Sequence, residues 1–333
     1  MEQKAYIAGV GMTPFGNAID QSLSQLASTA INEALKDAGI GAKDLGAAYM
    51  GNAAAGVITG QVCVPGQVVL RNMGIGRIPV INVENACATS ATAFQQAATM
   101  VTLGVYDVVL VCGYEKLYHK DKEKTFSVFT GAIDVDQIGA IKAGLKTRNE
   151  AIGAELDMSQ AGITRSIFID IYATWAREHM HRYGTSPEQL AAVSAKNSFH
   201  GSLNPLSQFR DRVSIEQVLA AREIVSPLTL PMCAPIGDGA AAVVLADTET
   251  AKNMDKAVRF RATAHVNDFL PMSRRDVTQF EGAAEAWAER GGFPEWESEN
   301  ELFTEELDRI MPWIERVMER MPIFANAGIK RIV

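Results

Sequence analysis

Positive charge is the scarcer sign in this 333-residue sequence: 31 lysines and arginines stand against 39 aspartates and glutamates, for a formal net charge of −8. A surface of that sign repels a nucleic-acid backbone or an anionic membrane, so both are excluded as general partners, although a local basic patch can still hold one phosphate. Long apolar runs are missing as well. No uninterrupted stretch reaches the roughly 18 residues of a membrane-spanning helix. The opening MEQKAYIAGVGMTPFG has no apolar core followed by a small-residue cleavage site. The expectation is a soluble, cytoplasmic protein. Cysteine is sparse: Cys63, Cys87, Cys112 and Cys233 are far apart, form no CxxC pair and share no cluster with histidine. A disulfide framework or a zinc site is therefore not expected. No GxGxxG with a following acidic residue marks a dinucleotide site.

What is present is ordinary globular composition, 47% hydrophobic and 21% charged, enough for one large domain or two moderate ones. Residues 4–10 read as a strand closed by Gly9 and Gly11. Leu23, Leu26, Ala30, Ile31, Ala34 and Leu35 then recur at helical spacing before Gly39 stops the pattern. A strand at 47–50 enters a small-residue loop at 51–60, a helix is predicted over 61–73, and a strand at 79–83 leads through the loop 84–86 to Cys87 and a helix that follows it as far as Leu103. The β-branched run at 107–112 follows. Strands alternating with helices imply a layered α/β fold around a buried sheet. From about 113 to 157 no steady period holds, which reads as an excursion from the sheet. Helices are predicted at 166–183 and 187–199, the second capped by Ser186 with Pro187 at its first position. CAPIGDGAAAVVLAD turns into a buried strand at 240–246, and 258–266 opens another strand.

Chemistry concentrates at VINVENACATSATAFQQAATM, residues 80–100, where an apolar strand gives way to a helix. A thiol reacts as a thiolate, and the free N–H groups and partial positive charge of a helix N-terminus favour that form. Cys87 sits at such a junction, with Ala86, Ala88, Ser90 and Ala91 leaving room for a substrate carbonyl and the Cys87 N–H placed to serve as an oxyanion donor. The alternative is a buried cysteine that fills a gap. Cys112, ending an apolar strand, and Cys63, inside the predicted helix, read as packing residues; Cys233, in a Gly/Pro turn, is ambiguous. His179 and His181 read as exposed, and His200 falls after a helix among Asn197, Asn204 and Gln208, a polar cluster suited to ordering a loop. The glycines of GDGAAAVV suit either a phosphate cradle or a tight turn before a strand.

Five ordered segments carry a resemblance: YIAGVGMTPFG, NVENACATSATAFQQAATMVTLGVYDVVLVCGYEKL, AKNSFHGSLNPLSQFR, PLTLPMCAPIGDGAAAVVLAD and AHVNDFLPMSRRDVTQFEGAAEAW. Together they resemble the thiolases, in particular the branch of the sterol-carrier-protein-x type enzymes and their archaeal and bacterial relatives. The resemblance implies an αβαβα fold of two duplicated halves, the first at 1–250 with an inserted loop domain at about 113–209 that helps hold coenzyme A, and the start of the second at 251–289. It implies Cys87 as the nucleophile that takes an acyl group from acyl-CoA or acetyl-CoA, the coenzyme A thioester being substrate and no cofactor being needed. It also implies a homodimer or homotetramer, with the strand at 79–83 at the subunit interface, or a partner subunit.

The sequence departs from that pattern. The family's Gly-His-Pro motif, its Cys-x-Gly motif and its Asn- or His-containing oxyanion motif are absent; no histidine follows His265 and no cysteine follows Cys233. From about 290 the chain is an atypical helical tail, predicted helical over 304–321, whose LFTEELDRIMPWIERVMERMPIFANAGIKRIV resembles flavin-dependent dimethylglycine and sarcosine dehydrogenases without a flavin-binding motif. The expectation is a complete thiolase first half and a truncated second half, giving an impaired acyltransferase. The alternative is a non-catalytic CoA- or partner-binding subunit.

Overall fold

Ser22 starts the first long helix through a reciprocal pair of hydrogen bonds: its Oγ accepts from the Gln25 N–H at 3.2 Å, and the Gln25 side chain accepts from the Ser22 N–H at 2.7 Å. Gly39, at φ +69, closes it with its N–H on the last-turn carbonyls. In this computed structural model, which describes residues 3–254 and 256–263, β1 (Tyr6–Met12) and that helix, α1 (Leu23–Ala38), lead to β2 (Ala47–Gly51), α2 (Ala55–Thr59), α3 (Pro65–Asn72), β3 (Val80–Val83), α4 (Thr89–Thr102) and β4 (Val108–Glu115). The chain then leaves the sheet through α5 (Lys122–Ser127), α6 (Ile138–Ala151), α7 (Ile167–Tyr183), α8 (Pro187–Ser202) and α9 (Ile215–Ala220), followed by the hairpin of β5 (Glu223–Val225) and β6 (Leu228–Thr229). It returns as β7 (Gly239–Ala246), α10 (Thr248–Ala251) and β8 (Val258–Arg259).

The described sheet has the order β3-β2-β4-β7-β1-β8. β3, β2 and β4 run parallel, and β7 is antiparallel to both β4 and β1. α1 and α3 cover one face, burying Leu26, Ile31 and Leu70 against Met50, Leu110 and Val244. α4 covers the other, with Ala93, Ala97, Ala98 and Val101 against Val109, Val111 and Leu245. The architecture is thus the layered α/β arrangement that alternation predicted. The second half beyond residue 263 and the tail from about 290, with its predicted helix at 304–321, lie outside the described residues.

Local differences have physical causes. The loop expected at 51–60 contains α2. The helix expected from 61 begins only at Pro65, because Val64 sits at φ +47 and cannot continue a right-handed helix; Cys63 is therefore exposed in a loop and is not a packing residue. His200 lies within the last turn of α8 and not after it. Of the strand predicted at 258–266, β8 holds two residues, and 264–266 lie outside the described residues.

The aperiodic stretch after residue 113 hides the 14-residue α6, in which only Leu145 and Asn149 are buried. Its packing on α7 is polar. Asn149 Nδ2 donates to Thr174 Oγ1 at 2.9 Å and Arg177 donates to Asn149 Oδ1 at 2.6 Å, while at the start of α7 the Arg165 guanidinium holds the fully buried Asp170 carboxylate with bonds of 3.1 and 2.6 Å. Such contacts leave no hydrophobic stripe to read. Among the described residues no helix is long and apolar enough to cross a membrane.

β1 approaches α1 closely enough that a Cβ on Gly11 would lie 2.2 Å from the Ala30 carbonyl oxygen, whereas one on Gly144, exposed in α6, would meet nothing within 4 Å. Gly11→Ala is therefore expected to cost about 3 kcal/mol by forcing helix and strand apart. Gly144→Ala should gain about 0.5–1 kcal/mol, since it removes backbone freedom from the unfolded chain. Urea melts of the two variants would show opposite shifts; a Gly11→Ala protein as stable as wild type would refute the close packing.

Candidate active site

Two glycines set the height of α4 above the sheet. Gly51 of β2 and Gly113 of β4 are register partners, and a Cβ on Gly113 would lie 2.0 Å from Ser90 Oγ, one on Gly51 3.0 Å from Thr89 Cγ2. With neither Cβ present, the first turn of α4 rests directly on the carboxyl ends of the parallel strands, where α/β sheets place their reactive groups. Between β3 and that turn lie Glu84, Asn85 and the single 3-10 turn Ala86–Ala88, which contains Cys87.

Hydrogen bonds fix this connection. Ala86, an alanine, sits at φ +43 in the left-handed region, at a cost of about 1 kcal/mol. Its N–H donates to Glu84 Oε1 at 2.6 Å, and its carbonyl accepts from Thr89 Oγ1 at 2.7 Å. The Asn85 N–H donates to the same Thr89 Oγ1 at 2.8 Å, Asn85 Nδ2 donates to Thr92 Oγ1 at 2.9 Å, and Thr92 Oγ1 donates to the Ala88 carbonyl at 3.0 Å. Both threonines are buried, and Cys87 is exposed. The arrangement presents one thiol on a pinned turn at the N-terminus of a 14-residue helix.

The other thiols differ. Cys112 is fully buried, and burial pushes its thiol far above the usual range. Cys233 is half-buried with its thiol 3.5 Å from the Thr229 carbonyl, and burial raises it too. Cys63, like Cys87, is exposed, and these two are the accessible thiols of the four. His179 and His181 are exposed as read, and so is His200, stacked edge-on against Phe199. Asn204 and Gln208 do order the following loop, through bonds to the Leu206 N–H and the Ile236 carbonyl. The structure brings none of these histidines into the hydrogen-bonded turn around Cys87.

Two carboxylates that the motifs did not single out brace the sheet at the carboxyl end of β4, where β7 begins. Glu115, at the end of β4, accepts from Asn52 Nδ2 at 3.2 Å and from the Ala53 and Ala54 N–H groups at 3.1 Å. Asp238, in the GDG turn, is completely buried; its oxygens accept from the Leu117, Tyr118 and Ala18 N–H groups at 2.7, 2.9 and 3.2 Å, and Lys116 Nζ lies 3.5 Å away. Of the two readings of that turn, the tight turn before a strand is the one built. The missed signals were short: a glycine at the end of each β run for 51 and 113, and a lone acid between two glycines for 238.

The family model described as Thiolase, N-terminal domain matches residues 5–227. The chain is 34% identical over 282 residues to an acetyl-CoA acetyltransferase of Methanothermobacter thermautotrophicus, covering 84% of this chain and 67% of that one. It is 32% identical over 306 residues to benzoylsuccinyl-CoA thiolase subunit BbsB of Thauera aromatica, covering 89% and 70%. It is also 32% identical over 275 residues to sterol carrier protein 2 of Gallus gallus, covering 81% and 46%. Among solved structures, one described as the Ltp2-ChsH2(DUF35) aldolase superposes with a TM-score of 0.56 at 24% identity, over 75% of this chain and 57% of that one. The chain thus spans about two thirds of the acetyltransferase and less than half of sterol carrier protein 2.

Two predictions follow from the geometry of the turn and its brace. Ala86→Val, a β-branched residue at positive φ, should cost about 1–3 kcal/mol. Ala86→Gly should leave the melting temperature within a few degrees, because relief of strain offsets the freedom gained by the unfolded chain; calorimetry on both variants checks the sign. Desolvation raises the Glu115 carboxyl above its ordinary 4.5, outweighing the backbone N–H groups it accepts. The folded chain therefore holds that proton to higher pH than the unfolded chain does, and this contribution to stability, present below 4.5, is lost as pH rises through the raised value. Glu115→Gln should flatten the fall in stability between pH 4.5 and neutrality, which urea melts at several pH values would measure.

Proposed function

The chain belongs to the thiolase family, and from that premise we propose that it is an acyltransferase in which Cys87 accepts the acyl group of a coenzyme A thioester. The observation that carries this reading is the exposed Cys87 on a pinned turn at the N-terminus of α4, at the carboxyl ends of parallel strands. The Cys87 sulfur attacks the thioester carbonyl, a carbon–sulfur bond forms to Cys87 as the one to coenzyme A breaks, and the proton of the Cys87 thiol ends on the departing coenzyme A thiol. The backbone N–H groups at the start of α4 suit the oxygen that becomes negative in between. Splitting the transfer through a covalent acyl-enzyme turns one hard step into two easier ones. In a synthetic direction the acyl group then passes to an acetyl-CoA carbanion; in a degradative one Cys87 instead attacks the keto carbonyl of a 3-ketoacyl-CoA, the carbon–carbon bond breaks as the proton of the thiol ends on the departing acetyl-CoA, and the acyl group passes from Cys87 to coenzyme A.

The 333 residues contain no Gly-His-Pro and no Cys-x-Gly. General acid and base groups contribute roughly 10²–10⁴-fold each, so this chain by itself performs the first half-reaction, and complete turnover draws on groups beyond those described. The same lack favours a second reading, a non-catalytic subunit that binds coenzyme A or a partner on a thiolase scaffold. In both readings the protein assembles as a homodimer or homotetramer, or with a partner subunit, as the name of the Ltp2-ChsH2(DUF35) aldolase suggests for that protein. β3 supports pairing, since it forms an edge of the described sheet and Asn82 in its middle is exposed.

Incubation of the full chain with acetyl-CoA, read by intact mass, is expected to add one acetyl group that Cys87→Ala abolishes, with slow or no further turnover. Coenzyme A binding without any adduct would replace the first reading by the second.

A further inference from the structure

Four of the five hydrogen bonds described around the Cys87 turn run through two hydroxyls, Thr89 Oγ1 and Thr92 Oγ1. Thr89 is the more central: its hydroxyl accepts from the Asn85 N–H at 2.8 Å and donates to the Ala86 carbonyl at 2.7 Å, so it bridges the peptide that enters Asn85 and the peptide that leaves the strained Ala86 immediately before Cys87. Its methyl meanwhile faces Gly51 of β2. One residue therefore ties the turn to the sheet through Cγ2 and holds the backbone of the turn through Oγ1. Thr92 repeats the pattern one turn further on, accepting from Asn85 Nδ2 at 2.9 Å and donating to the Ala88 carbonyl at 3.0 Å on the far side of Cys87. At 5% and 8% exposure both hydroxyls are shielded from water, so no solvent molecule substitutes for them without rearrangement.

From this geometry we propose that Thr89, seconded by Thr92, is the positioning residue for Cys87: its hydroxyl, and not its bulk, holds Ala86 in the left-handed conformation that presents the thiol. A helix cap would need only to satisfy amides of its own helix. Here the hydroxyl reaches back past Cys87, to residues 85 and 86, and holds a conformation alanine does not adopt unaided. The consequence for acyl transfer rests on the thiolase reading above; the consequence for the conformation of Cys87 does not.

The test separates the two atoms of Thr89 that do different things. Thr89→Val keeps the methyl packing on Gly51 and removes the hydroxyl; Thr89→Ser keeps the hydroxyl and removes the methyl. In the full chain, the rate of Cys87 acetylation by acetyl-CoA is read by intact mass. The rate of iodoacetamide alkylation at Cys87 is read by peptide mapping relative to Cys63, which is also exposed and serves as an internal standard. Thr89→Val is expected to slow acetylation by at least about tenfold and to change the Cys87:Cys63 alkylation ratio by at least about threefold, with Thr89→Ser restoring both to within about twofold of wild type. A Thr89→Val protein with a lowered melting temperature but an unchanged alkylation ratio and acetylation rate would reduce Thr89 to a structural cap and overturn the proposal. If Thr89→Val does not fold, Thr92→Val carries the same expectations. If wild type takes no acetyl group, the acyltransferase reading fails on its own account, and the alkylation ratio alone decides for or against the positioning role.

Discussion

The site depends on two side chains that are not there. Gly51 and Gly113 face each other across β2 and β4, and a single methyl at either would press against Thr89 or Ser90. Because the interior is packed like a crystal and does not yield easily, those positions decide how low the first turn of α4 can sit. The height of α4 then fixes everything upstream of it. With Thr89 held against Gly51, its hydroxyl falls within reach of Asn85 and Ala86, and the short connection from β3 has no slack left to move Cys87. The chain from missing Cβ atoms to an exposed thiol is thus one of contacts, each leaving fewer options for the next.

The same logic appears on the opposite face, where β1 carries Gly9 and Gly11 against the alanine stripe of α1. This half of the fold was legible in the sequence because its contacts are apolar and periodic: Leu23 through Leu35 recur at helical spacing, and β4 and β7 are continuous apolar runs. The position of Cys87 at a strand-to-helix junction was legible for the same reason. What escaped were elements whose stability is polar or too short to show a period. α6 buries an asparagine bonded to α7 and not an apolar stripe, and α2 spans five residues. Cys63 was misplaced because Val64 occupies a left-handed conformation that no β-branched residue signals in advance. The threonine hydroxyls at 89 and 92 were invisible as function, since both fit an ordinary Ser/Thr-containing helix start until the bond partners are seen.

The segment between β4 and β7 raises a different problem, because closing so long a connection costs conformational entropy and leaves the register of the two strands to be set at its base. Lys116, just after β4, and Asp238, just before β7, meet there as a buried pair at 3.5 Å. Asp238 also gathers the N–H groups of Leu117, Tyr118 and Ala18, while Lys116 donates to the Ala18 carbonyl at 2.6 Å. A buried ion pair is a poor source of net stability against apolar residues of equal size, but a pair whose remaining lone pairs and protons are all bonded is specific about what it joins. Here it joins the loop after β1, the exit from β4 and the entry to β7. The inserted helices can therefore differ in packing from the sheet without disturbing the strand ends on which α4 rests, and the eight-residue ladder of β4 with β7 runs without a register shift.

Alanine at position 86 is informative when set against glycine. Glycine accepts φ +43 with no strain, so a design concerned only with reaching that conformation would use it. Glycine would also leave the turn free to visit the mirror regions of backbone space, and the residue that follows is the exposed thiol. Alanine excludes most of those alternatives through its Cβ, at a cost of about 1 kcal/mol that the bonds from Glu84 and Thr89 on either side of it offset. The strain is thus confined to one residue, opposed by identifiable hydrogen bonds, and adjacent to the group whose direction matters. A reactive thiol needs a small number of orientations more than it needs a relaxed backbone, since misplacement by about 1 Å costs far more in rate than the strain costs in stability.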